Sequence, residues 1–170
     1  MSLNSRPSQT VAVTVGQALA DEGNVYLSLI DGLNLGSGAD EKDIMLLRNP
    51  AASGQLVNLK SFLVVSVKVS GGTIVRYYRN PTVTSAGTAL TEKNKKDDSI
   101  TGVATTFQLP TISARGTKLG VYGAQGSGQL RHDEAYEVFL EEGEDLLLTL
   151  EQPSSNATYS VDLIWSETDI

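Results

Sequence analysis

The only histidine of the chain, His132, is the first residue whose type could support catalysis. It stands beside Asp133 and Glu134, and a histidine base acting on a serine needs a third group to orient it. The preceding Gly126-Ser127-Gly128 has only the core of a Gly-x-Ser-x-Gly elbow and lacks its strand–turn–helix setting. The pattern therefore favours an exposed loop histidine over a catalytic base.

A second candidate for chemistry is the acidic run Glu141-Glu142-Gly143-Glu144-Asp145. Several carboxylate oxygens in one place are what a hard cation such as Ca²⁺ prefers. The run lacks the alternating Asp-x-Asp-x-Asp-Gly spacing of a dedicated calcium loop, so it is more typical of a solvated hairpin tip. Cation binding there remains the alternative, and no other pair of carboxylates stands out as a glycosidase pair.

Phosphate and sugar sites have weak support. The stretch from Gly123 to Gly128 is rich in glycine but lacks the lysine and the following helix of a phosphate loop. Sugar platforms use exposed aromatic rings, and here Trp165 and Tyr159 share the parity of a core-facing strand side. Tyr77 and Tyr78 are adjacent, so one of them faces outward, and glycan binding stays open as an alternative.

The composition excludes further classes of function. The chain has no cysteine, so disulfides, thiolate nucleophiles and cysteine-ligated zinc are absent. A net charge of -7 repels a phosphate backbone and anionic membrane surfaces. No apolar run is long enough to span a bilayer, and the first residues lack the apolar core of a secretory signal. We therefore expect no cofactor, no nucleic acid and no membrane partner.

Strand-like alternation dominates the elements that would position these residues. Residues 10–15, 24–31, 43–48 and 101–109 each have the composition or period of a strand, as do the short stretches 88–91 and 118–122. The charged residues 92–99 and the glycine-rich residues 123–128 are interpreted as loops, and 17–22 as a loop or a single helical turn. Residues 1–9 are interpreted as a flexible polar arm.

Two longer units are predicted as hairpins. Residues 56–70 and 73–79 flank Gly71-Gly72, and residues 135–140 and 145–150 flank the acidic run. In the first unit Leu59, Leu63 and Val65 share the predicted core parity, while Phe62 and Val64 lie on the other face. A strand that is apolar on both faces is either central or covered at a subunit contact.

The final strand, 156–165, has the clearest alternation, with Tyr159, Val161, Leu163 and Trp165 on one side. We expect it to pack face to face against the core parity of 59–69 in an aligned sandwich. About nine or ten strands with no major helix predict an all-β fold, an antiparallel, jelly-roll-like β-sandwich. The predicted organisation is the arm followed by a single domain over 10–170.

Two corners repeat one tetrapeptide pattern: Leu47-Arg48-Asn49-Pro50 and Tyr78-Arg79-Asn80-Pro81. Together with Gly87-Thr88-Ala89-Leu90-Thr91, Gly143-Glu144-Asp145-Leu146-Leu147-Leu148 and Val161-Asp162-Leu163-Ile164-Trp165, they resemble a pattern in the small jelly-roll-like virion proteins of tailed bacteriophages. The resemblance covers about residues 24–167. The motifs are structural corners, so no catalytic residue is carried over.

This resemblance implies a non-enzymatic structural protein at the virion surface, made in the host cytoplasm. It would be a capsid decoration (cement) protein, commonly a trimer, bound to other virion proteins; a tail-associated receptor- or carbohydrate-binding module is the alternative. The doubly apolar strand and the arm are then the candidate contact regions. The predicted interface residues are Phe62, Val64, Tyr78, Arg79 and Arg6.

Overall fold

The computed structural model describes residues 22–36, 40–67, 71–125, 128–151 and 157–170. These residues form antiparallel β-strands, and no helix among them is long and apolar enough to cross a membrane. The described strands are β1 Val25–Leu33, β2 Lys42–Arg48, β3 Gln55–Val67, β4 Gly72–Arg79, β5 Thr82–Ser85, β6 Thr88–Ala89, β7 Lys93–Asn94, β8 Thr105–Gln108, β9 Thr111–Ala114, β10 Thr117–Gln125, β11 Gly128–Leu140, β12 Asp145–Glu151 and β13 Thr158–Asp169.

Two main sheets face each other, and the long strands alternate between them along the chain, except that β4 and β10 lie in the same sheet. One sheet, here called sheet A, has the order β11-β3-β13-β1-β7, and the other, sheet B, has the order β10-β4-β12-β2-β8-β6. Within them β1, β3, β11 and β13 interleave with β2, β4, β10 and β12, which is jelly-roll connectivity. The all-β, antiparallel, jelly-roll-like prediction is confirmed.

The core lies between the two sheets and is built from alternating inward side chains. On β13, Tyr159, Val161, Leu163 and Trp165 are at most 1% exposed, which confirms their predicted facing. The Trp165 ring stacks on Tyr26 of β1 with ring centroids 5.9 Å apart. Since β1 and β13 are neighbouring strands, this pair joins the two ends of the described chain.

The sequence analysis predicts correctly that Leu59 faces the core, but it predicts the wrong side of the sheet for the residues of β3 that follow. Phe62 and Val64 are fully buried in the core, whereas Leu63 and Val65 are only partly covered on the outer side of sheet A. The cause is a β-bulge: against β13, Leu59 and Ser61 pair with consecutive residues, so Lys60 is an extra residue. An extra residue reverses which side of the sheet every later residue of the strand faces. Counting alternate residues along the sequence cannot detect such a bulge.

Both predicted hairpins are also wrong. β3 pairs with β11 and β13, while β4 pairs with β10 and β12, so Gly71-Gly72 leads from one sheet to the other. β11 and β12 are likewise in opposite sheets. The physical reason is that each of these strands has an apolar face to bury, and the sandwich buries both by placing them on opposite sides of the core.

Two further expectations need correction. The 59–69 and 159–165 segments are hydrogen-bonded neighbours in sheet A and do not face each other across the core. The glycine-rich region is largely strand, because β10 extends to Gln125 and β11 starts at Gly128. The predicted strand over 10–15 and the arm with Arg6 lie outside the described residues.

A small third sheet, β5 with β9, covers part of the outer face of sheet B. Val83, Ile112 and Phe107 pack on a second apolar cluster formed by Leu46, Tyr78 and Leu147. This cover explains why β2 and β12 are buried on both faces. Of the two main sheets, only sheet B therefore has its outer apolar residues covered by this third layer.

Candidate interaction surfaces

Among the described residues, no three His, Cys, Asp or Glu side chains converge as metal ligands. The backbone of His132 lies in β11, opposite Phe62, and its side chain is outside the described set. Candidate sites must therefore be sought in the polar networks and in the exposed apolar faces.

The acidic run between β11 and β12 is engaged by the two Arg-Asn-Pro corners. Asp145 accepts two hydrogen bonds from the Arg48 guanidinium, at 2.9 and 2.8 Å. Glu144 accepts from Asn80 Nδ2 and from the backbone N–H of Glu141, both at 2.9 Å. The carboxylates thus stabilise this end of the sandwich.

The two corners occupy equivalent places on either side of β12. The Asn49 N–H donates to Glu144 O and the Asn80 N–H donates to Asp145 O, each at 2.9 Å. Asn49 is completely buried and its amide donates to Leu140 O. The two copies of the tetrapeptide therefore lie on either side of the connection between β11 and β12. Their side chains hold that connection in place.

The charge on Glu144 fits this structural role. Partial burial acts to raise the pKa of Glu144, but hydrogen bonds from the Glu141 backbone and Asn80, with the nearby Arg79 charge, outweigh it and lower the pKa. The ionised form is therefore held at neutral pH.

Arg79 and Tyr78 are drawn into the fold as well. The Arg79 guanidinium donates to Phe139 O at 2.6 Å and so ties β4 to β11. The Tyr78 side chain is buried under the β5–β9 sheet, and its hydroxyl donates to Glu41 at 2.8 Å. With Phe62 and Val64 in the core, four of the five predicted interface residues contribute internal contacts, and Arg6 lies outside the described residues.

Glu41 is the centre of a network that the sequence did not reveal. Its carboxylate accepts hydrogen bonds from Tyr78 and from Thr149 Oγ1, and it pairs with Arg76 at 3.5 Å and Arg115 at 3.3 Å. Burial acts to raise the pKa of Glu41, and these partners together lower it. The members come from residues 41 to 149, so no local motif could have indicated them.

The outer face of sheet A is exposed and has no covering sheet among the described residues. Leu29 and Val67 are each 51% exposed, and Leu63, Val65 and Ile164 are partly exposed around them. Cross-strand pairing aligns Leu29 with Asp162, and Asp162 with Leu63. The polar Asp162, Ser160 and Thr158 of β13 lie opposite Leu63, Val65 and Val67 of β3, so apolar residues of β1 and β3 flank a polar stretch of β13 on this face. Exposed apolar side chains gathered on one face mark a candidate contact surface.

One carboxylate lies within this apolar face. Burial raises the pKa of Asp162, with the Asp31 charge adding to the shift and Lys95 opposing it. A partly desolvated carboxylate among leucines gives the face a polar feature that a partner can recognise.

The aromatic side chains do not form a sugar platform among the described residues. Trp165, Tyr26, Tyr77 and Tyr159 are all buried, and Tyr77 stacks on Tyr122 with ring centroids 5.9 Å apart. Between the adjacent Tyr77 and Tyr78, the expected outward residue is Tyr78, which the β5–β9 sheet covers.

Comparison with known proteins gives fold-level likenesses only. No protein-family model matches the sequence, and no curated protein matches it. Among solved structures, a chain of the Kashmir bee virus empty particle at acidic pH matches with a TM-score of 0.36 and 8% identity, over 98% of this chain and 78% of that one. A chain of Israeli acute paralysis virus matches with a TM-score of 0.28 and 10% identity, over 100% of this chain and 80% of that one.

A chain of deformed wing virus, a honeybee pathogen, matches with a TM-score of 0.26 and 10% identity. The match covers all of the present chain but 53% of the virus chain, so the protein spans about half the length of that relative. At these TM-scores the likenesses carry no functional argument.

Proposed function

We propose that the protein is a non-enzymatic virion structural component, a decoration protein that oligomerises and binds the surface of a tailed-phage capsid. The observation that carries this proposal is the exposed apolar outer face of sheet A. The polar clusters at Glu41 and Asp145 are engaged within the fold, which favours an exposed apolar face as the part that contacts another molecule.

Three features support a scaffold over an enzyme. The jelly roll is closed by internal networks at Glu41 and Asp145, which make the body rigid. The corners that carry the phage resemblance hold the fold at Asn49 and Asn80. A structural protein of a particle needs a rigid body and a contact face, and it needs no reacting groups.

The alternative, a tail-associated receptor- or carbohydrate-binding module, has less support. It calls for two or three exposed aromatic side chains at one end of the sandwich. The described tyrosines other than Tyr122, and Trp165, are buried instead. A glycan array with no hits would agree with this ranking, and strong, specific hits would reverse it.

The test is binding of purified protein to phage capsids that lack it, followed by co-sedimentation. The variant Val67→Asp places a charge on the outer face of sheet A, and we expect it to lose at least tenfold in the amount bound. The matched control is Val103→Asp, at a valine that is 40% exposed outside the strands of sheet A. Equal binding of the two variants would refute the role of this face, and absence of the wild-type protein from purified particles would refute the virion role.

A further inference from the structure

The two-stranded sheet of β5 and β9, here called the flap, is a small unit on the outer face of sheet B. In the described part of the chain its strands pair with each other and with neither main sheet. Three of the four residues in each strand are exposed, and the remaining ones, Val83 and Ile112, pack toward sheet B. A sheet of two short strands is marginally stable by itself, so the flap depends on these few contacts with the body.

A residue with a left-handed backbone lies two positions beyond each end of both flap strands. The φ angle is +53° at Asn80 and +90° at Gly87, on either side of β5. It is +53° at Leu109 and +78° at Gly116, on either side of β9. At both glycines an added Cβ would lie 2.2 Å from a backbone carbonyl oxygen of the body. These four positions therefore fix the base of the flap and delimit it from the strands around it.

Leu109 is the strained member of this set. A left-handed backbone is uncommon for a residue with a large side chain. Leu109 is 50% exposed, so packing offsets little of this strain. Its N–H donates to the Ile44 carbonyl at 3.0 Å, which holds the strained backbone against β2. Strained residues that the surroundings hold in place are concentrated at sites of function and at segments that switch conformation.

Arg115, the residue that follows β9, ties the flap to the body by polar contacts. Its Nε donates to Asp43 Oδ1 and its Nη2 donates to the Glu41 carbonyl, both at 2.8 Å. Its Nη1 lies 3.3 Å from the Glu41 carboxylate. The Arg115 side chain is 35% exposed, and partly exposed ion pairs of this kind contribute little free energy. The contacts of Arg115 thus favour the closed flap without making its closure permanent.

The flap covers a continuous apolar row on sheet B. Cross-strand pairing places Tyr78 opposite Leu147, Leu147 opposite Leu46, and Leu46 opposite Phe107. The row crosses the neighbouring strands β4, β12, β2 and β8, a width of about 14 Å at roughly 4.8 Å per strand. Leu46 and Leu147 are completely buried beneath the flap.

We infer that the flap opens as a unit while the jelly roll stays folded, and that Arg115 holds it shut. Opening uncovers the apolar row of Tyr78, Leu147 and Leu46 on the side of the molecule opposite the outer face of sheet A. A small unit with few buried contacts opens at a lower free energy than the whole domain, which is the basis of local opening. This inference goes beyond the proposed function and does not depend on it.

Cysteine labelling tests the opening, because the chain has no native cysteine. Leu147→Cys places a thiol beneath the flap, and the adjacent Leu148→Cys places one in the main core. Both leucines are at most 1% exposed, so neither thiol reacts with a maleimide in the closed protein. We expect Leu147→Cys in the folded protein to be labelled about ten times faster than Leu148→Cys, or more.

The dependence of labelling on urea separates local opening from unfolding. Opening of the flap exposes little surface, so the labelling rate of Leu147→Cys should change little with urea below the unfolding transition. The labelling rate of Leu148→Cys should rise steeply over the same range, because its thiol reacts only from the unfolded chain. This difference holds even if the two substitutions lower the global stability unequally.

A charge variant tests the part played by Arg115. Arg115→Gln should raise the labelling rate of Leu147→Cys about threefold or more and leave that of Leu148→Cys within about twofold. The matched control is Lys93→Gln, which removes the same charge at an exposed lysine of β7 in sheet A. We expect this control to change neither labelling rate.

Equal labelling rates with the same urea dependence at Leu147→Cys and Leu148→Cys would overturn the inference, since both thiols would then react only on unfolding. An effect of Arg115→Gln no larger than that of Lys93→Gln would overturn the role of Arg115. If Leu147→Cys does not fold by circular dichroism, Leu46→Cys beneath the flap and its core neighbour Met45→Cys form a second pair with the same expectations.

Discussion

At the scale of single residues, Glu41 is the side chain whose interactions converge most strongly. It joins Tyr78 and Arg76 of β4, Thr149 of β12, and Arg115 of the β9–β10 connection. Breaking a partly buried ion pair leaves the remaining charges uncompensated, so removal of one member costs more than the pair contributes. Arg76 retains Glu151 and Arg115 retains Asp43, which limits the cost.

We therefore expect Glu41→Gln to lower the free energy of unfolding by about 1–3 kcal/mol at pH 7. Because the pKa of Glu41 is lowered on folding, its stabilisation is present above the ordinary value of 4.5 and is lost as the pH falls through the folded-state value. The difference between the variant and wild type should thus shrink in acid.

Urea unfolding at pH 7 and at pH 3 measures both effects. The control is Glu141→Gln, at an exposed glutamate, which should change the free energy of unfolding by less than about 0.5 kcal/mol. A Glu41→Gln penalty that is as large at pH 3 as at pH 7 would contradict the electrostatic account.

At the scale of the elements, Gly87 joins β5 to β6 at a point where the chain comes very close to β8. Its φ is +90°, and an added Cβ would lie 2.2 Å from the Gln108 carbonyl oxygen. Gly54 offers a matched comparison, because its φ is +68° and nothing lies within 4 Å of an added Cβ. The two positions share the backbone strain and differ in the available space.

We expect Gly54→Ala to cost about 1–2 kcal/mol, the cost of a left-handed backbone with a side chain. Gly87→Ala should cost at least about 2 kcal/mol more, because the backbone at Gln108 must move. Thermal unfolding of the two variants measures the difference. Equal melting temperatures would show that the β5–β6 connection can shift freely.

The elements also show which features a sequence can predict. Alternation located β1 and β13, and the apolar run closed by Asn49-Pro50 located β2. Alternation predicted the strand β3 but assigned the wrong side to its second half, because the bulge at Lys60 depends on pairing with β13. The hairpins failed because Gly71-Gly72 permits a tight turn and a crossing between sheets equally well, and only long-range burial distinguishes them.

The candidate surfaces were less predictable than the fold. A strand that is apolar on both faces, such as β3, fits either a core position or a subunit contact. The bulge at Lys60 turns Phe62 and Val64 toward the core. Tyr78 is covered by a small sheet, and neither of its strands, β5 and β9, was predicted. The exposed face arises from side chains on several strands, and the sequence does not reveal which strands are neighbours.

At the scale of the whole molecule, long-range pairing dominates. β1 pairs with β13, so Val25 lies opposite Ser166, and β3 is held between β11 and β13. Nearly all of the stabilising contacts therefore require loops of many tens of residues to close first. Folds of this kind fold slowly, on the millisecond-to-second scale, because the entropy of loop closure is lost before the contacts form.

The single tryptophan makes this expectation measurable. Trp165 is completely buried, stacks on Tyr26 and donates its indole N–H to Glu167 at 3.1 Å, so its emission reports the pairing of β1 with β13. In stopped-flow refolding from urea, we expect native emission to appear at about 1–100 per second or more slowly. Trp165→Phe should lose the signal and retain slow refolding by circular dichroism. Native emission within a millisecond would mean that Trp165 is buried before the chain ends pair, against the account given by the topology.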